Sequence, residues 1–294
     1  MNKLYRFTGT AVAALTLAAS AAAFGAPYAA AQATAHHAAA TPAAARPEPH
    51  PMIPAGGAAG PNAIGNITTV HSQNWAGYAV GGPGVKFRKI KAHFFVPFLN
   101  CAASPTPSGD PGTFSSHWVG LDGFVSHTVE QDGIEADCIG GTAHYFAWHE
   151  VFPRPAQPFF SLKIRPGDSI TASVKFNRSS GKFRLEVKDN TTGQHRTARQ
   201  RCSGATCKRN SAEVISEAPT LIINNAAKQT SLADYGALSF AGISISGNSG
   251  RGGIKSSHWR RVKIIQVGFS THHIIARPTA LNGPAFANYW LGEN

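Results

Sequence analysis

The feature that most constrains the fold is an alternation of apolar and polar residues with a period of two, which runs from about His71 to the C-terminus. Between Phe87 and Pro97, for example, every second residue from Ile90 to Val96 is apolar. Side chains point alternately to the two faces of an extended chain, so this pattern is typical of strands with a buried face. No stretch has a convincing helical stripe longer than two turns.

Turn residues divide the alternating runs into short predicted strands. These span Asn74–Val80, Phe87–Pro97, Ser116–Leu121, Thr128–Ile134, Tyr145–Phe152, Phe159–Ile164, Ser169–Phe176, Phe183–Val187, Gln194–Ala198, Glu213–Glu217, Leu238–Ile245, Val262–Val267 and His273–Ala276. The stretch Arg165–Asp168 predicts a hairpin turn, and Leu221–Ala226 and Ser231–Tyr235 are predicted as short helical turns. Many short strands in one domain favour an all-β sandwich of two antiparallel sheets, of the concanavalin or jelly-roll kind.

The first 33 residues have the organisation of a secretory signal peptide. A basic start with Lys3 and Arg6 precedes an apolar run over Ala11–Phe24, and small residues offer cleavage after Ala31 or Ala33. The run is too short and too rich in alanine for a membrane span. We therefore predict a secreted, extracellular protein.

Residues 34–70 are rich in Ala, Pro, Gly and His and poor in bulky apolar residues. Such a segment buries too little surface to offset the entropy lost on ordering. We predict a disordered leader, either a pro-segment or a solvated linker, followed by one β-sandwich domain over residues 71–294. No later apolar run is long enough to span a bilayer, so we expect no membrane contact after signal cleavage.

All four cysteines lie in the predicted domain, and an exported chain meets an oxidising compartment. Three pairings are possible. Cys202 and Cys207 are close in sequence with Gly204 between them, which suits a local loop and leaves Cys101 to pair with Cys138. Neither pair has the tight C-x-x-C spacing of a zinc site, and no histidine spacing supplies one. We expect no metal or cofactor.

The chain is basic, with a formal charge of +12. A basic balance can indicate nucleic acid, an anionic surface or solubility alone. The densest basic stretch, Arg196–Arg209, is accompanied by no helix-turn-helix or RNA-binding signature. We expect a solvated basic face that attracts acidic polymers at most, no nucleic acid, and a monomer.

Several catalytic motifs are absent from the sequence. There is no G-x-S-x-G elbow, no H-E-x-x-H, no pair of D-T-G motifs and no phosphate-binding glycine loop. Glutamine and glutamate side chains instead stand on predicted apolar strands, where burial is costly unless they are partnered. Glu213 and Glu217 are an even number of residues apart, so one strand would place both on the same face.

Five sequence blocks, taken together and in order, resemble the glutamic peptidases, or eqolisins, over essentially all of the predicted domain. The blocks are Asn74–Tyr78 (NWAGY), Trp118–Gly123 (WVGLDG), Gln131, Ala147–Glu150 (AWHE) and Ala212–Pro219 (AEVISEAP). The resemblance implies a β-sandwich, which agrees with the strand pattern. It also implies an endopeptidase acting on proteins or peptides at acidic pH.

The catalytic pair that the resemblance implies is Gln131 and Glu217. Ionised Glu217 would take a proton from water and return it to the leaving amine, while the amide of Gln131 would donate to the oxyanion. Other matching positions would line or support the cleft: Trp75, Trp118, Asp122 and Glu150.

The sequence departs from the better-known fungal members at two blocks. Asp132 stands where they have Thr in Gln-Thr-Gly, and His149-Glu150-Val151-Phe152-Pro153 replaces Tyr-Glu-Trp-Tyr-Pro; we expect both changes to alter cleft polarity. Those fungal enzymes are acidic proteins, whereas this chain is basic, so we predict a milder acidic optimum. An alternative is a carbohydrate-binding or glycan-cleaving sandwich that uses Asp122 and Glu150 as paired acids; another is a catalytically inactive adhesion module.

Overall fold

The predicted period of two is visible in the burial of individual strands. In the segments Phe87–Phe95, Ser169–Asn177 and Lys182–Asp189, apolar side chains that alternate along the chain are buried and those between them reach solvent. The structure is a computed structural model, and it describes residues 53–54, 68–104, 106, 110–202, 207–223, 226–268 and 272–292. The predicted signal peptide and most of the predicted leader lie outside these residues.

The described residues form twenty strands. In chain order these are β1 (Ile53–Pro54), β2 (Thr68–Ser72), β3 (Trp75–Gly81), β4 (Phe87–Phe95), β5 (Gly112–Asp122), β6 (Val129–Ile139), β7 (Thr142–Val151), β8 (Gln157–Pro158), β9 (Ser169–Asn177), β10 (Lys182–Asp189), β11 (His195–Arg201), β12 (Ser211–Glu217), β13 (Thr220–Ile223), β14 (Ala226–Gln229), β15 (Ser231–Leu232), β16 (Ala237–Gly247), β17 (Arg251–Gly252), β18 (Arg260–Val267), β19 (Ile274–Pro278) and β20 (Phe286–Trp290). Strand β2 begins at Thr68 and pairs with β1, so ordered pairing reaches into the segment predicted as leader.

Two large layers account for most of these strands. Sheet A has the antiparallel order β8–β7–β6–β5–β12–β3–β18, and β18 continues to β2 and β19. Sheet B has the antiparallel order β17–β16–β4–β9–β10–β11. Strand β16 joins the layers, because its first half pairs with β20 and its second half with β4. The register breaks between Ala241 and Ser244, where Gly242 has a φ of +56°.

The main core lies between the two sheets. Val119 and Leu121 of sheet A pack in one cluster with Ile90, Phe94 and Leu185 of sheet B. A second apolar cluster, around Trp75, Trp118, Trp148, Ile215 and Ile264, belongs to sheet A alone and therefore lies on its face away from sheet B. We call this the outer face of sheet A. Strands β5 and β12 are buried along their whole length because both of their faces are covered.

Four local predictions were wrong. The segment Phe159–Ile164 is not a strand; it turns where the Leu162 N–H donates to the Phe159 carbonyl, and it still buries Leu162 and Ile164 in the core. The turn at Arg165–Asp168 therefore exists without a hairpin around it. The described residues of the two predicted helical turns are not helical: Leu221–Ile223 belong to β13 and Ala226 to β14, and Ser231 and Leu232 form β15, which pairs with β5.

The predicted disulfide pairing is confirmed. Cys101 bonds to Cys138 and Cys202 to Cys207, with Cα–Cα distances of 5.4 and 5.8 Å, both normal for disulfides. Along the part of the chain that the structure describes, no helix is long and apolar enough to cross a membrane.

Candidate active site

Polar and aromatic side chains meet on the outer face of sheet A, where β3, β12, β5, β6 and β7 lie side by side. The pairing places Glu217 opposite both Trp75 and Ser116, and Gln131 opposite both Gly120 and Glu150. Because alternate residues share a face, the predicted pair Gln131 and Glu217 lies on the same face, on strands that flank β5.

Glu217 is fully buried, and each of its carboxyl oxygens accepts a hydrogen bond. Asn74 donates from Nδ2 to Oε1 at 3.0 Å, and the Trp118 indole donates to Oε2 at 2.8 Å. Burial raises the pKa of Glu217 to about 8, while the N–H groups of Trp118, Trp75 and Asn74 oppose that shift. The Trp75 indole nitrogen makes no hydrogen bond of normal geometry with the described residues.

Asn74 is a site residue that sequence reasoning did not nominate, although it stands in the first matching block. The Ser72 hydroxyl donates to its Oδ1 at 3.0 Å, which turns its Nδ2 towards Glu217. Asn74 begins the predicted strand that contains Trp75, but its contact with Glu217 depends on the pairing of β3 with β12.

The Trp118 indole lies between the two candidate catalytic residues. A Cβ added to Gly133 would lie 2.1 Å from the His117 carbonyl and 2.7 Å from Trp118 Cβ, so only glycine fits beneath this tryptophan. A Cβ added to Gly120 would lie 2.9 Å from Trp118 Cζ3 and 3.4 Å from Gln131 Cβ. One edge of the indole thus faces Gln131, while its N–H binds Glu217.

Gln131 is fully buried and is oriented by Glu150. Its Nε2 donates to Glu150 Oε2 at 2.7 Å, and its Oε1 has no hydrogen-bond partner among the described residues. An amide nitrogen carries two N–H donors, so one of them remains beyond the bond to Glu150. The structure therefore brings together Gln131, Glu150, Trp75, Trp118 and Glu217, five of the six predicted site residues.

Glu135 and Asp137 are two further acids on this face that sequence reasoning missed. They follow Gln131 on β6 at even separations, and Glu135 is directly opposite Ser116. Burial, then the neighbouring carboxylate of Asp137, then that of Glu217 raise the pKa of Glu135 well above its usual range. The period of two would have found both residues if the predicted strand had not ended at Ile134.

Asp122, the sixth predicted site residue, lies in a different acidic cluster. Its carboxylate accepts the backbone N–H of Asn210 at 2.9 Å and that of Arg209 at 2.6 Å. Burial, then the charges of Asp122 and Glu213, raise the pKa of Glu130, and Asp122 in turn raises the pKa of Glu213 after burial. Because Asp122 and Glu150 lie in separate clusters, nothing in this geometry favours their use as a glycosidase pair.

Two of the departures from the fungal motifs, Asp132 and His149, point away from the outer face, whereas a third, Phe152, packs against the cluster on that face. Asp132 accepts the backbone N–H of Glu186 in sheet B, and His149 stacks on Phe159 with ring centroids 4.5 Å apart. Both alternate with Gln131 and Glu150 along their strands. The changes at these two positions therefore alter contacts on the side of sheet A that faces sheet B, and the expected change in cleft polarity stays a prediction for Phe152.

A buried hydrogen-bond network lies directly behind Glu217. His117 Nδ1 is 2.9 Å from the Ser216 hydroxyl, which accepts from Asn288 Nδ2 at 2.9 Å, and the His117 ring packs edge-on against Tyr235. Burial lowers the pKa of His117 to about 3. The neutral ring therefore belongs to the framework that holds the end of β12.

One group of possible metal ligands occurs among the described residues: Glu130, Cys202 and Cys207, whose ligand atoms lie within 4.8 Å of one another. The two sulfurs are joined in a disulfide, so neither is available as a thiolate.

Comparisons with known proteins identify a family model and two curated relatives. The family model described as "Peptidase A4 family" matches residues 73–279. The chain is 28% identical over 193 residues to aspergillopepsin-2 of Aspergillus niger, covering 60% of this chain and 65% of that protein. It is 32% identical over 117 residues to scytalidopepsin B of Scytalidium lignicola, covering 38% of this chain and 43% of that protein. The chain therefore spans less than two thirds of the length of either relative.

Solved structures show the same fold. Scytalido-glutamic peptidase with a transition state analog inhibitor has a TM-score of 0.61 and 22% identity, covering 75% of this chain and 99% of that one. Aspergilloglutamic peptidase from Aspergillus niger has a TM-score of 0.50 and 21% identity, covering 61% of this chain and 99% of that one. The predicted all-β sandwich is thus confirmed.

Proposed function

The chain belongs to the peptidase A4 family, and on that premise we propose that it is a secreted glutamic endopeptidase in which Glu217 is the general base and Gln131 the oxyanion donor. The observation that carries the proposal is the pair of environments on the outer face of sheet A. A buried glutamate there has an N–H donor on each oxygen, and a glutamine on the same face donates from its amide to a second glutamate.

Glu217 has the properties of a base that activates water. Asn74 and Trp118 fix its two oxygens, so the remaining lone pairs of the ionised carboxylate are held in one orientation. A raised pKa makes the carboxylate a stronger base than an ordinary glutamate. The group takes a proton from water as water attacks the peptide carbonyl, and returns it to the leaving amine.

Gln131 supports the other half of the reaction. Because Glu150 accepts one N–H from Gln131 Nε2, the second N–H is available for the oxygen that becomes negatively charged. An amide supplies this donor without a charge of its own. Loss of one such donor typically lowers the rate by about a hundredfold to a thousandfold.

The raised pKa of Glu217 favours a mildly acidic optimum over a strongly acidic one. Activity needs the ionised form, so the acid limb of the pH–rate profile should lie above the ordinary glutamate value of 4.5 and below about 8. The formal charge of +12 acts in the same direction, since protonation of carboxylates at low pH increases self-repulsion.

The substrates we propose are proteins and peptides, hydrolysed outside the cell by a monomeric enzyme after removal of residues 1–33. The solved structure of an eqolisin relative in complex with the tripeptide Ala-Ile-His supports a peptide as ligand of this class of site. Gln131 and Glu217 are both fully buried.

The direct test is digestion of a denatured protein between pH 3 and pH 8, with product masses read by mass spectrometry. We expect internal cleavage that resists pepstatin, chelators and reagents for catalytic serine and cysteine. Gln131→Ala should lower kcat/KM by about a hundredfold or more, while Gln200→Ala, a glutamine of sheet B, should leave it unchanged. Full activity of Gln131→Ala, or inhibition by a chelator, would contradict the proposal.

A further inference from the structure

The outer face of sheet B, turned away from sheet A, carries a straight row of cations. Directly paired positions on six adjacent strands project the same way in the order Arg251, Ser246, Lys89, Lys175, Arg184 and Arg199. Neighbouring strands are about 4.8 Å apart, so the row spans roughly 24 Å. More cations lie beside it on the same strands: Lys91, Lys182, Lys188 and Arg201.

This row costs the folded state free energy. Like charges directly opposite each other on neighbouring strands are destabilising, and three such pairs follow one another from Lys89 to Arg199. The pKa of Lys89 is lowered by burial and then by the charges of Lys91, Lys175 and Arg184. Folding alone therefore gives no reason for the arrangement.

Acidic side chains do little to offset these charges. Glu186 is the one acid among the outward positions of these strands, and it pairs with Arg184 alone. Most acids of the chain are buried instead. Eight of them lie in sheet A: Asp122, Glu130, Asp132, Glu135, Asp137, Glu150, Glu213 and Glu217. Apart from the Arg184–Glu186 pair, no acidic side chain of the described residues on these strands offsets the cationic row.

We propose that this face binds a linear acidic polysaccharide, a sugar polymer with regularly spaced carboxylates. Arginine forks and lysine ammonium groups match carboxylates. The next row of paired positions, Ser244, Lys91, Ser173, Glu186 and Thr197, places hydroxyl groups alongside for sugar hydroxyls.

Two other anionic partners fit less well. Sequence-tolerant binding of single-stranded nucleic acid relies on aromatic side chains that stack on bases. No Trp or Tyr of the described residues projects outward from these strands, and the exposed Phe95 lies six residues along β4 from Lys89. Insertion into a lipid surface relies on apolar side chains, and the exposed Phe95 lies six residues along β4 from the row. A hydroxylated and cationic face is best matched by a polymer that is itself hydroxylated and anionic.

Binding there would leave the candidate active site free, since that site lies on the far side of the other sheet. A bound polymer would hold the protein in an acidic matrix while the outer face of sheet A meets its own ligand. The inference does not depend on the proposed peptidase activity, because binding can be measured without any substrate.

The test is binding of fluorescently labelled polygalacturonate, measured by anisotropy at several salt concentrations. Fully methyl-esterified polygalacturonate is the uncharged control polymer. The row variant changes Lys89, Lys175, Arg184, Arg199 and Arg251 to Gln. The matched variant removes as many exposed cations outside these strands, namely Lys163, Arg165, Lys208, Lys255 and Arg277.

We expect salt-sensitive binding of the charged polymer only, since binding releases counterions from it. The row variant should bind at least about tenfold more weakly with a shallower salt dependence, and the matched variant within about threefold of the parent. The double variant Lys175→Gln/Arg199→Gln, at two exposed positions, should have an affinity between those of the row variant and the matched variant. It replaces the row variant in the test if the row variant does not fold. The midpoint temperature of thermal unfolding of the row variant should be equal to or higher than that of the parent, because repulsion between the cations is removed.

Three results would overturn the inference. The first is equal weakening in the row and matched variants, which would reduce the effect to net charge. The second is tighter binding of a single-stranded oligonucleotide or of phosphatidylserine vesicles than of polygalacturonate. The third is absence of binding to polygalacturonate at low salt.

Discussion

Sheets A and B follow the same alternation of residues but use their second face differently. Sheet B has apolar residues inside and cations outside, as in β10, where Leu185 is buried and Lys188 is exposed. Sheet A has apolar residues inside, and its outer face buries tryptophans together with carboxyl groups. Buried carboxylates lower stability unless they are partnered. Sheet A therefore bears a free-energy cost that sheet B does not, and it holds the groups that could take part in catalysis.

The largest effect we predict from this difference is a loss of stability as pH rises. Burial raises the pKa of Glu130, Asp132, Glu135, Asp137 and Glu213 well above its usual range. The folded protein then binds more protons than the unfolded chain. Stability is therefore full below the ordinary carboxyl pKa near 4 and is lost as pH rises through the folded values. Each tenfold difference in proton affinity between the folded and unfolded states corresponds to about 1.4 kcal/mol for each group.

Denaturant unfolding between pH 4 and pH 8 measures this loss. We expect the free energy of unfolding to fall by several kcal/mol, and the double variant Glu135→Gln/Asp137→Asn to flatten the fall. The control Glu186→Gln, on the outer face of sheet B, should follow the parent. Stability that increases from pH 4 to pH 8 would refute the burial of ionisable acids in sheet A.

The second effect acts at the opposite end of the pH range. Burial lowers the pKa of His117 from 6.5 to about 3. Between these two pH values the imidazole is protonated in the unfolded chain and neutral in the folded protein. The stabilisation is complete above pH 6.5 and is lost as pH falls towards 3. His117→Gln should make unfolding less pH-dependent in that window, whereas His93→Gln on sheet B should not; equal slopes for parent and His117→Gln would contradict the assignment.

The smallest of these effects concerns one hydrogen bond. Trp118→Phe removes the N–H that donates to Glu217 Oε2, so the pKa of Glu217 should rise and the acid limb of kcat/KM should move to higher pH. The lost bond is worth about 1–3 kcal/mol. Trp148→Phe is the matched control, because its indole nitrogen has no partner among the described residues. An unmoved acid limb in Trp118→Phe would place Glu217 outside the reaction.

Much of the fold could be predicted from the sequence because alternation reports burial directly. β4, β9 and β10 were found to within two residues. β6 was predicted to end at Ile134, since acids such as Glu135 and Asp137 are depleted in strands; only their burial beside β5 and β7 explains why the strand continues. Phe159–Ile164 alternates like a strand, yet it contributes to the core from a turn.

The site could be predicted only in part, because alternation shows which face a side chain lies on but not which side chains it contacts. The family resemblance selected Gln131 and Glu217, and the period of two indicated which side chains of each strand share a face. The donors to Glu217 could not be assigned from sequence. Asn74, which precedes β3, and Trp118 on β5 reach Glu217 from the two strands that pair with β12, and this strand order is not visible in the sequence. Asp122 matched a motif, but its carboxylate serves the backbone of Arg209 and Asn210.

The most direct test of the account compares two glutamates of one strand. Glu213 and Glu217 lie on the same face of β12, both are fully buried, and both have a raised pKa. They differ in their surroundings, since Asn74 and Trp118 donate to Glu217 whereas Glu213 lies near Asp122. The measurement is kcat/KM for Glu217→Gln and Glu213→Gln, with unfolding of each followed alongside. We predict a loss of roughly a thousandfold for Glu217→Gln and nearly full activity for Glu213→Gln; near-parental activity in Glu217→Gln would contradict the central claim.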